Sequence, residues 1–325
     1  MRLYSGFKRA VSALAIAVAL LAGSAVPSFA QEALRVDRLG SVLDASGDAG
    51  KLVARFWKLS LPGGSDEKSG DSALLVSPEG KTMLIDGGAP SCGSQVSAYL
   101  RAMGLDAIDV VVASHPHVDH IGGLAAVLRE FRVGVVYMSR LEYPTRAFAD
   151  FLAAAGENNA RIVYLEAGDT FYFGGSVEVT VLNPEPGITY YDGYPANGTQ
   201  FVNDRSLVMR FAYGSSSMLF MGDVYSSREL DLIGSFGDAL RSDVMKAGHH
   251  GSDTSSSKSL IRAVSPRVAV MMHDNLASMS VYRNYRKAGS EAFVTCIDGC
   301  VKVSVDGSGG VSVVTQFDRN SDFLE

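Results

Sequence analysis

Between Val110 and Leu124 the chain reads VVVASHPHVDHIGGL, which puts three of its six histidines within six residues, beside Asp119. Neutral imidazole nitrogens and carboxylate oxygens are the donors that Zn²⁺ and related divalent ions take. The stretch follows a β-branched run and leads into a diglycine, so it reads as a loop between a strand and a helix. Such a loop can aim alternate side chains at two neighbouring points. His115 and His117 face one way, Asp119 and His120 the other, which suits two ions a few ångströms apart. The competing reading, a solvated polar turn with incidental histidines, does not account for so dense a set of donors.

The elements around this loop follow from hydrophobic periodicity. LVARFWKLS reads as a strand, and ALLVSPEGKTMLIDGG as a hairpin turning on Pro78-Glu79-Gly80. GSQVSAYLRAMG is helical, IDVVVAS a short buried strand, and GGLAAVLREF helical again; strand VGVVYMS, helix TRAFADFLAAAGE and strand RIVYLE follow. In the second half SVEVTVLNP, SLVMRFAYG, SSMLFMGDV, SDVMKAG and RVAVMM read as strands, with helices at SRELDLIGSF and SSSKSLIRAV. The chain closes with strand pairs through EAFVTC, CVKVSVDG and VSVVTQF. Two such halves imply packed sheet layers covered by helices, an α/β fold in a single domain. TCIDGCV reads as a tight hairpin whose Cys296 and Cys300 are either bridged or free, and Cys92 is left over in both cases.

Residues 1–30 carry a different message. Arg2, Lys8 and Arg9 precede the apolar run AVSALAIAVALLAG, and AVPSFA ends with small Ser28 and Ala30 at the positions a signal peptidase reads. The run is shorter than the ~20 residues a membrane span needs. The expectation is a signal peptide over 1–30, a mature domain over 31–325, and a periplasmic or secreted product with no membrane span. Cleavage removes three basic residues and no acidic ones, so the formal charge goes from −6 to −9. An acidic chain lacks the broad basic surface that grips nucleic acid phosphates.

HPHVDHIGG resembles the H-x-H-x-D-H signature of the metallo-β-lactamase superfamily. TMLIDGG resembles the upstream motif whose aspartate, here Asp86, orients a histidine ligand from behind. FMGDV resembles the strand ending in the metal-bridging aspartate, here Asp223, and MKAGHHGSDTSS the last histidine motif, here His249 and His250. NDRSLVMRF, MGDVYSSRE, GHHGSDTSS and the closing AFVTCIDGCVKVSVDG are most similar to the branch of the competence (DNA-uptake) channel hydrolase domains and the phosphorylcholine esterases. The resemblance implies a four-layer αββα sandwich and two divalent ions, zinc before manganese. It implies His115, His117 and Asp223 as ligands of one ion, and Asp119, His120, Asp223 and one histidine of the late pair, His250 in preference to His249, as ligands of the other.

One departure from the family pattern bears on the substrate. No histidine stands between His120 and His249, where most members supply another ligand; FVNDRS occupies that region. Asn203 and Ser206 are read either as hydrogen-bonding the substrate or the metal-bound water or as a structural strand entry. The late-pair histidine that is not a ligand, His249 by preference, is read as a transition-state donor, and Asp119 as both ligand and orienter of the nucleophile. SGDSALL, ahead of Asp86, resembles a Gly-Asp-Ser element of the branch, preceded here by a longer polar loop. The expected activity is metal-dependent hydrolysis of a phosphodiester, whether a small phosphoester, a cell-envelope phosphodiester or, less in keeping with the acidic charge, nucleic acid. A lactonase or β-lactamase is the alternative, since the same machinery serves C–O and C–N bonds. His273, outside every motif, reads as a structural histidine.

Overall fold

The computed structural model describes residues 36–63, 67–187 and 198–318; the expected signal peptide lies outside these. From Arg38 onward the residues form one unit. Its first half runs α1 (Leu39–Leu43), β1 (Leu52–Phe56), β2 (Ala73–Val76), β3 (Thr82–Ile85), α2 (Gly93–Ala102), β4 (Ala107–Ala113), α3 (Val118–Ile121), α4 (Leu124–Glu130), β5 (Arg132–Met138), α5 (Arg146–Glu157) and β6 (Arg161–Tyr164). The second half runs β7 (Thr170–Phe173), β8 (Val177–Asn183), α6 (Thr199–Asn203), β9 (Val208–Tyr213), β10 (Ser216–Phe220), α7 (Ser226–Phe236), β11 (Val244–Lys246), α8 (Lys258–Val264), β12 (Val268–Met271), α9 (Met279–Lys287), β13 (Glu291–Val294), α10 (Thr295–Asp298), β14 (Val301–Val305) and β15 (Val311–Thr315).

Two mixed sheets result. One has the order β15-β14-β1-β2-β3-β4-β5-β6, the other β13-β12-β11-β10-β9-β8-β7. Side chains alternate across each strand, so each sheet feeds two cores. From β1, Leu52, Ala54 and Phe56 enter the cluster between the sheets, while Val53 turns to the outer one under α2, α4 and α5. From β10, Met218 and Phe220 face inward and Leu219 packs outward beneath α7, α8 and α9. Phe56 stacks on Phe220 across the gap, ring centroids 5.7 Å apart. The outcome is the expected αββα sandwich.

Three details differ from the sequence reading. TCIDGC is not a hairpin: β13 is the edge strand of one sheet, parallel to β12, and β14 belongs to the other. The helical turn α10 carries the chain across, and none of Cys92, Cys296 and Cys300 forms a disulfide. Strand β7 was missed because TFYF is only four residues long, with Tyr172 67% exposed. Helix α9 was missed because its buried stripe is Val281, Tyr282 and Tyr285 within an otherwise polar segment; Ser278 Oγ caps it by accepting from the Val281 N–H.

The arrangement positions a site. Strands β3, β4, β10 and β11 end in Asp86, Ser114–His115, Asp223 and the Gly248–Gly251 turn. Ligands of open α/β sheets gather at such carboxyl ends.

Candidate metal centre

The strand-end loops converge on one oxygen. Asp223 Oδ2 lies 3.2 Å from His120 Nε2 and 3.2 Å from His250 Nε2. It lies 3.9 Å from His115 Nε2 and 4.0 Å from His249 Nε2. His250 Nε2 is also 3.3 Å from Asp119 Oδ2. His117 Nδ1 approaches His115 Nε2 to 3.0 Å, so these two rings share a focus beside the others. The expected ligands His115, His117, Asp119, His120, Asp223 and His250 are thus brought together.

Each inward ring is held from behind. His120 Nδ1 is 2.8 Å from Asp86 Oδ2, and Asp86 also accepts from the Ser114 N–H at 2.8 Å and its hydroxyl at 2.7 Å. Ser114 Oγ lies 3.0 Å from His115 Nδ1. His249 Nδ1 is 2.6 Å from Thr254 Oγ1. His250 Nδ1 is 2.9 Å from Asp71 Oδ1. Outer partners of this kind fix tautomer and ring orientation. Asp71 is therefore the counterpart of Asp86, and it received no role from the sequence. Its signal was SGDSALL: Gly70 has φ +71°, and a Cβ there would sit 1.6 Å from the Asp119 carbonyl oxygen. Only glycine lets this segment lie against the histidine loop. Lys246 was also missed; its Nζ donates to the Gly222 carbonyl at 2.9 Å and pairs with Asp71 and Asp223.

Backbone strain collects here as well. Six non-glycine residues among those described have positive φ, and Asp86 (61°), His249 (46°) and His250 (58°) are three of them. Such conformations cost on the order of 1–3 kcal/mol each and persist where the surroundings impose them.

Electrostatics show what the cluster lacks. The cluster holds four carboxylates, Asp71, Asp86, Asp119 and Asp223, and one ammonium, Lys246, paired with Asp71 and Asp223, so with neutral imidazoles three negative charges stay uncompensated. Protons answer part of this demand. Burial lowers His120, but Asp223 and Asp86 outweigh it and hold the ring up at about 10. Burial likewise opposes charge on His250, yet Asp223 and Asp71 raise it well above the ordinary value. His249 behaves differently: burial prevails and brings it down to about 4, leaving it neutral. Buried ligand atoms of Asp71, His120, Asp223 and His250 lie within 4.8 Å of one another. Crowded N and O donors with surplus negative charge fit divalent cations.

Beside the cluster a cleft of about 390 Å³ is lined by Glu67, Lys68, His117, Val118, Asp119, Tyr143, Asn203, Asp223 and His249, among others. Asn203 reaches it from α6, 1% exposed, with neither carboxamide atom in a hydrogen bond of good geometry. Ser206 does not reach it. That residue is fully buried; its hydroxyl donates to the Asn203 carbonyl at 2.8 Å and accepts from the Asp223 N–H at 3.0 Å. The expectation that Ser206 meets substrate is corrected: it anchors the Asp223 turn. His273 packs edge-on against His250, centroids 5.4 Å apart, with Nδ1 2.5 Å from Asp274.

The αββα fold and its buried donor cluster are similar to those of metal-dependent hydrolases of the metallo-β-lactamase superfamily. Residues 66–197, which hold Asp71, Asp86 and the histidine run, match the Metallo-beta-lactamase superfamily. Curated relatives include competence proteins, the branch its motifs resemble. ComE operon protein 3 of Bacillus subtilis (strain 168) is 25% identical over 223 residues, 63% of this chain and 27% of that protein. Competence protein ComA of Neisseria gonorrhoeae is 28% identical over 221 residues, 68% of this chain and 27% of that protein. The chain thus spans about a quarter of the length of these relatives. Among solved structures, the metallo-beta-lactamase fold protein YhfI from Bacillus subtilis aligns with TM-score 0.47 and 14% identity, over 81% of this chain and 100% of that one. No helix among the described residues is long and apolar enough to cross a membrane.

Proposed function

We propose that the chain is an exported phosphodiesterase, periplasmic or secreted, working with two divalent ions. His115, His117 and Asp223 would hold one ion and Asp119, His120, Asp223 and His250 the other. The cleft carries the reading. It exposes His117, Asp119, Asp223 and His249 together with Lys68, the one lysine or arginine on its lining among the described residues. A phosphodiester has two non-bridging oxygens and a negative charge. When bound, zinc or manganese supplies an activated water and positive charge for those oxygens.

The chain's own groups do the rest. Lys68 meets the substrate's charge, and the Asn203 carboxamide offers a donor and an acceptor beside His117. Asp119 orients the attacking oxygen. Neutral His249, whose Nδ1 lies 2.6 Å from Thr254 Oγ1, would stabilise a developing oxyanion in the tautomer that carries its proton on Nε2.

The test assays purified protein with Zn²⁺ or Mn²⁺ on bis-p-nitrophenyl phosphate, DNA, a lactone and a β-lactam. Expected is phosphodiester turnover abolished by chelator and by His117→Ala. Lactone and lactam turnover should be at least roughly tenfold lower, or ~1.4 kcal/mol of transition-state preference. Robust lactam or lactone turnover without phosphodiester hydrolysis would instead establish the C–O or C–N hydrolase. Intact mass of exported protein beginning near Gln31 is expected; retention of 1–30 on a cytoplasmic product would remove the export proposal.

A further inference from the structure

Lys246 ends β11, between neighbours β10 and β12, and is 4% exposed. Burying an ammonium is unfavourable unless carboxylates meet it, and here two do. Nζ lies 3.4 Å from Asp223 Oδ1, pairs with Asp71, and donates to the Gly222 carbonyl at 2.9 Å. The consequence is directional. With Oδ1 of Asp223 turned to Lys246, only Oδ2 faces the four inward imidazoles. Through Asp71, whose Oδ1 takes His250 Nδ1 at 2.9 Å, the same ammonium steadies a second ligand ring. The adjoining cavity, lined by Asp71, Asp86, Ser114 and Lys246 among others, is about 10 Å³. That is room for a water at most, so nothing larger can take over the role of the ammonium.

We propose that Lys246 is a resident counter-cation, a positioning residue that keeps the ligand carboxylates folded and aimed before metal arrives. Its charge is partly redundant once divalent ions are in place. The inference rests on reading the cluster as a divalent-metal site, and needs no particular substrate.

Melting temperature in chelator and in saturating Zn²⁺ tests it, for the wild type, Lys246→Met, and Lys246→Met with Asp71→Asn. In chelator the single variant should melt roughly 10 °C lower, the scale expected for a buried pair left with one charge uncompensated. Zinc should recover more than half of that gap, so the single variant gains more from metal than the wild type does. Asp71→Asn should recover most of the loss in chelator, because one carboxylate charge leaves with the ammonium while the amide oxygen still accepts from His250. A lysine with a purely packing role predicts equal losses with and without zinc and no rescue, and that result overturns the proposal. Should Lys246→Met fail to fold, recovery of folded protein in the double variant or with metal present during expression supports it, and failure of both overturns it. A wild type unmoved by any divalent ion would instead defeat the metal reading itself.

Discussion

Asp223 is the residue on which the centre turns, since four imidazoles approach one of its oxygens within 4.0 Å and its amide is tied to Ser206. Asp223→Ala should therefore lose more metal, by elemental analysis, than His115→Ala or His249→Ala. Retention of about two ions with normal turnover would remove its bridging role. The adjacent histidines should separate cleanly. His250 is buried between Asp71, Asp119 and Asp223, so His250→Ala should lower metal content. His249 stacks on Tyr225 with centroids 5.1 Å apart and lines the cleft, so His249→Ala should keep the metal and lower turnover by 10²-fold or so. The reverse pattern would exchange their roles.

At the scale of elements, the approach of the Gly70 segment to the histidine loop is the tightest constraint. The Asp71 N–H donates to the Asp119 carbonyl at 3.2 Å, and the Gly87 N–H donates to the His120 carbonyl at 2.7 Å. Gly70→Ala should push these loops apart, costing about 3 kcal/mol in denaturant unfolding and most of the metal affinity. A fully stable, metal-binding Gly70→Ala would mean the loops have slack that the contact distances deny. The same contrast marks what the sequence disclosed. The strand-end histidines were legible as a dense donor run where a buried apolar strand breaks off, and Asp86 and Asp223 through motifs that resemble those of the family. Asp71 and Lys246 were not: one lies in a polar loop and the other ends a three-residue strand, and only folding brings them together across 175 positions of chain. Ser206 was misread for the same reason, since a hydroxyl beside a site and one beneath it look alike in one dimension. Helix α9 hid because tyrosines rather than aliphatic residues form its buried face.

For the whole molecule, charge decides between a small phosphodiester and a polymer. The formal charge is −6, and −9 without residues 1–30, while the cleft lining offers Lys68 as its one cation among the described residues. Glu67 beside it accepts from the Ser91 hydroxyl at 2.6 Å, and no salt bridge ties Lys68 to a described carboxylate. A protein that neutralises several phosphates shows a logarithmic salt slope of about −0.7 per phosphate on single strands. With one lysine, cleavage of a single-stranded oligonucleotide should vary with salt no more steeply than a slope of about −1. Lys68→Met should raise the KM for bis-p-nitrophenyl phosphate roughly tenfold, about 1.4 kcal/mol, leave metal content unchanged, and be reversed by Lys68→Arg. An oligonucleotide slope of −3 or steeper, with Lys68→Met without effect on KM, would show that a polyanion is held along a basic track elsewhere, and would turn the proposal from a small phosphodiester to nucleic acid.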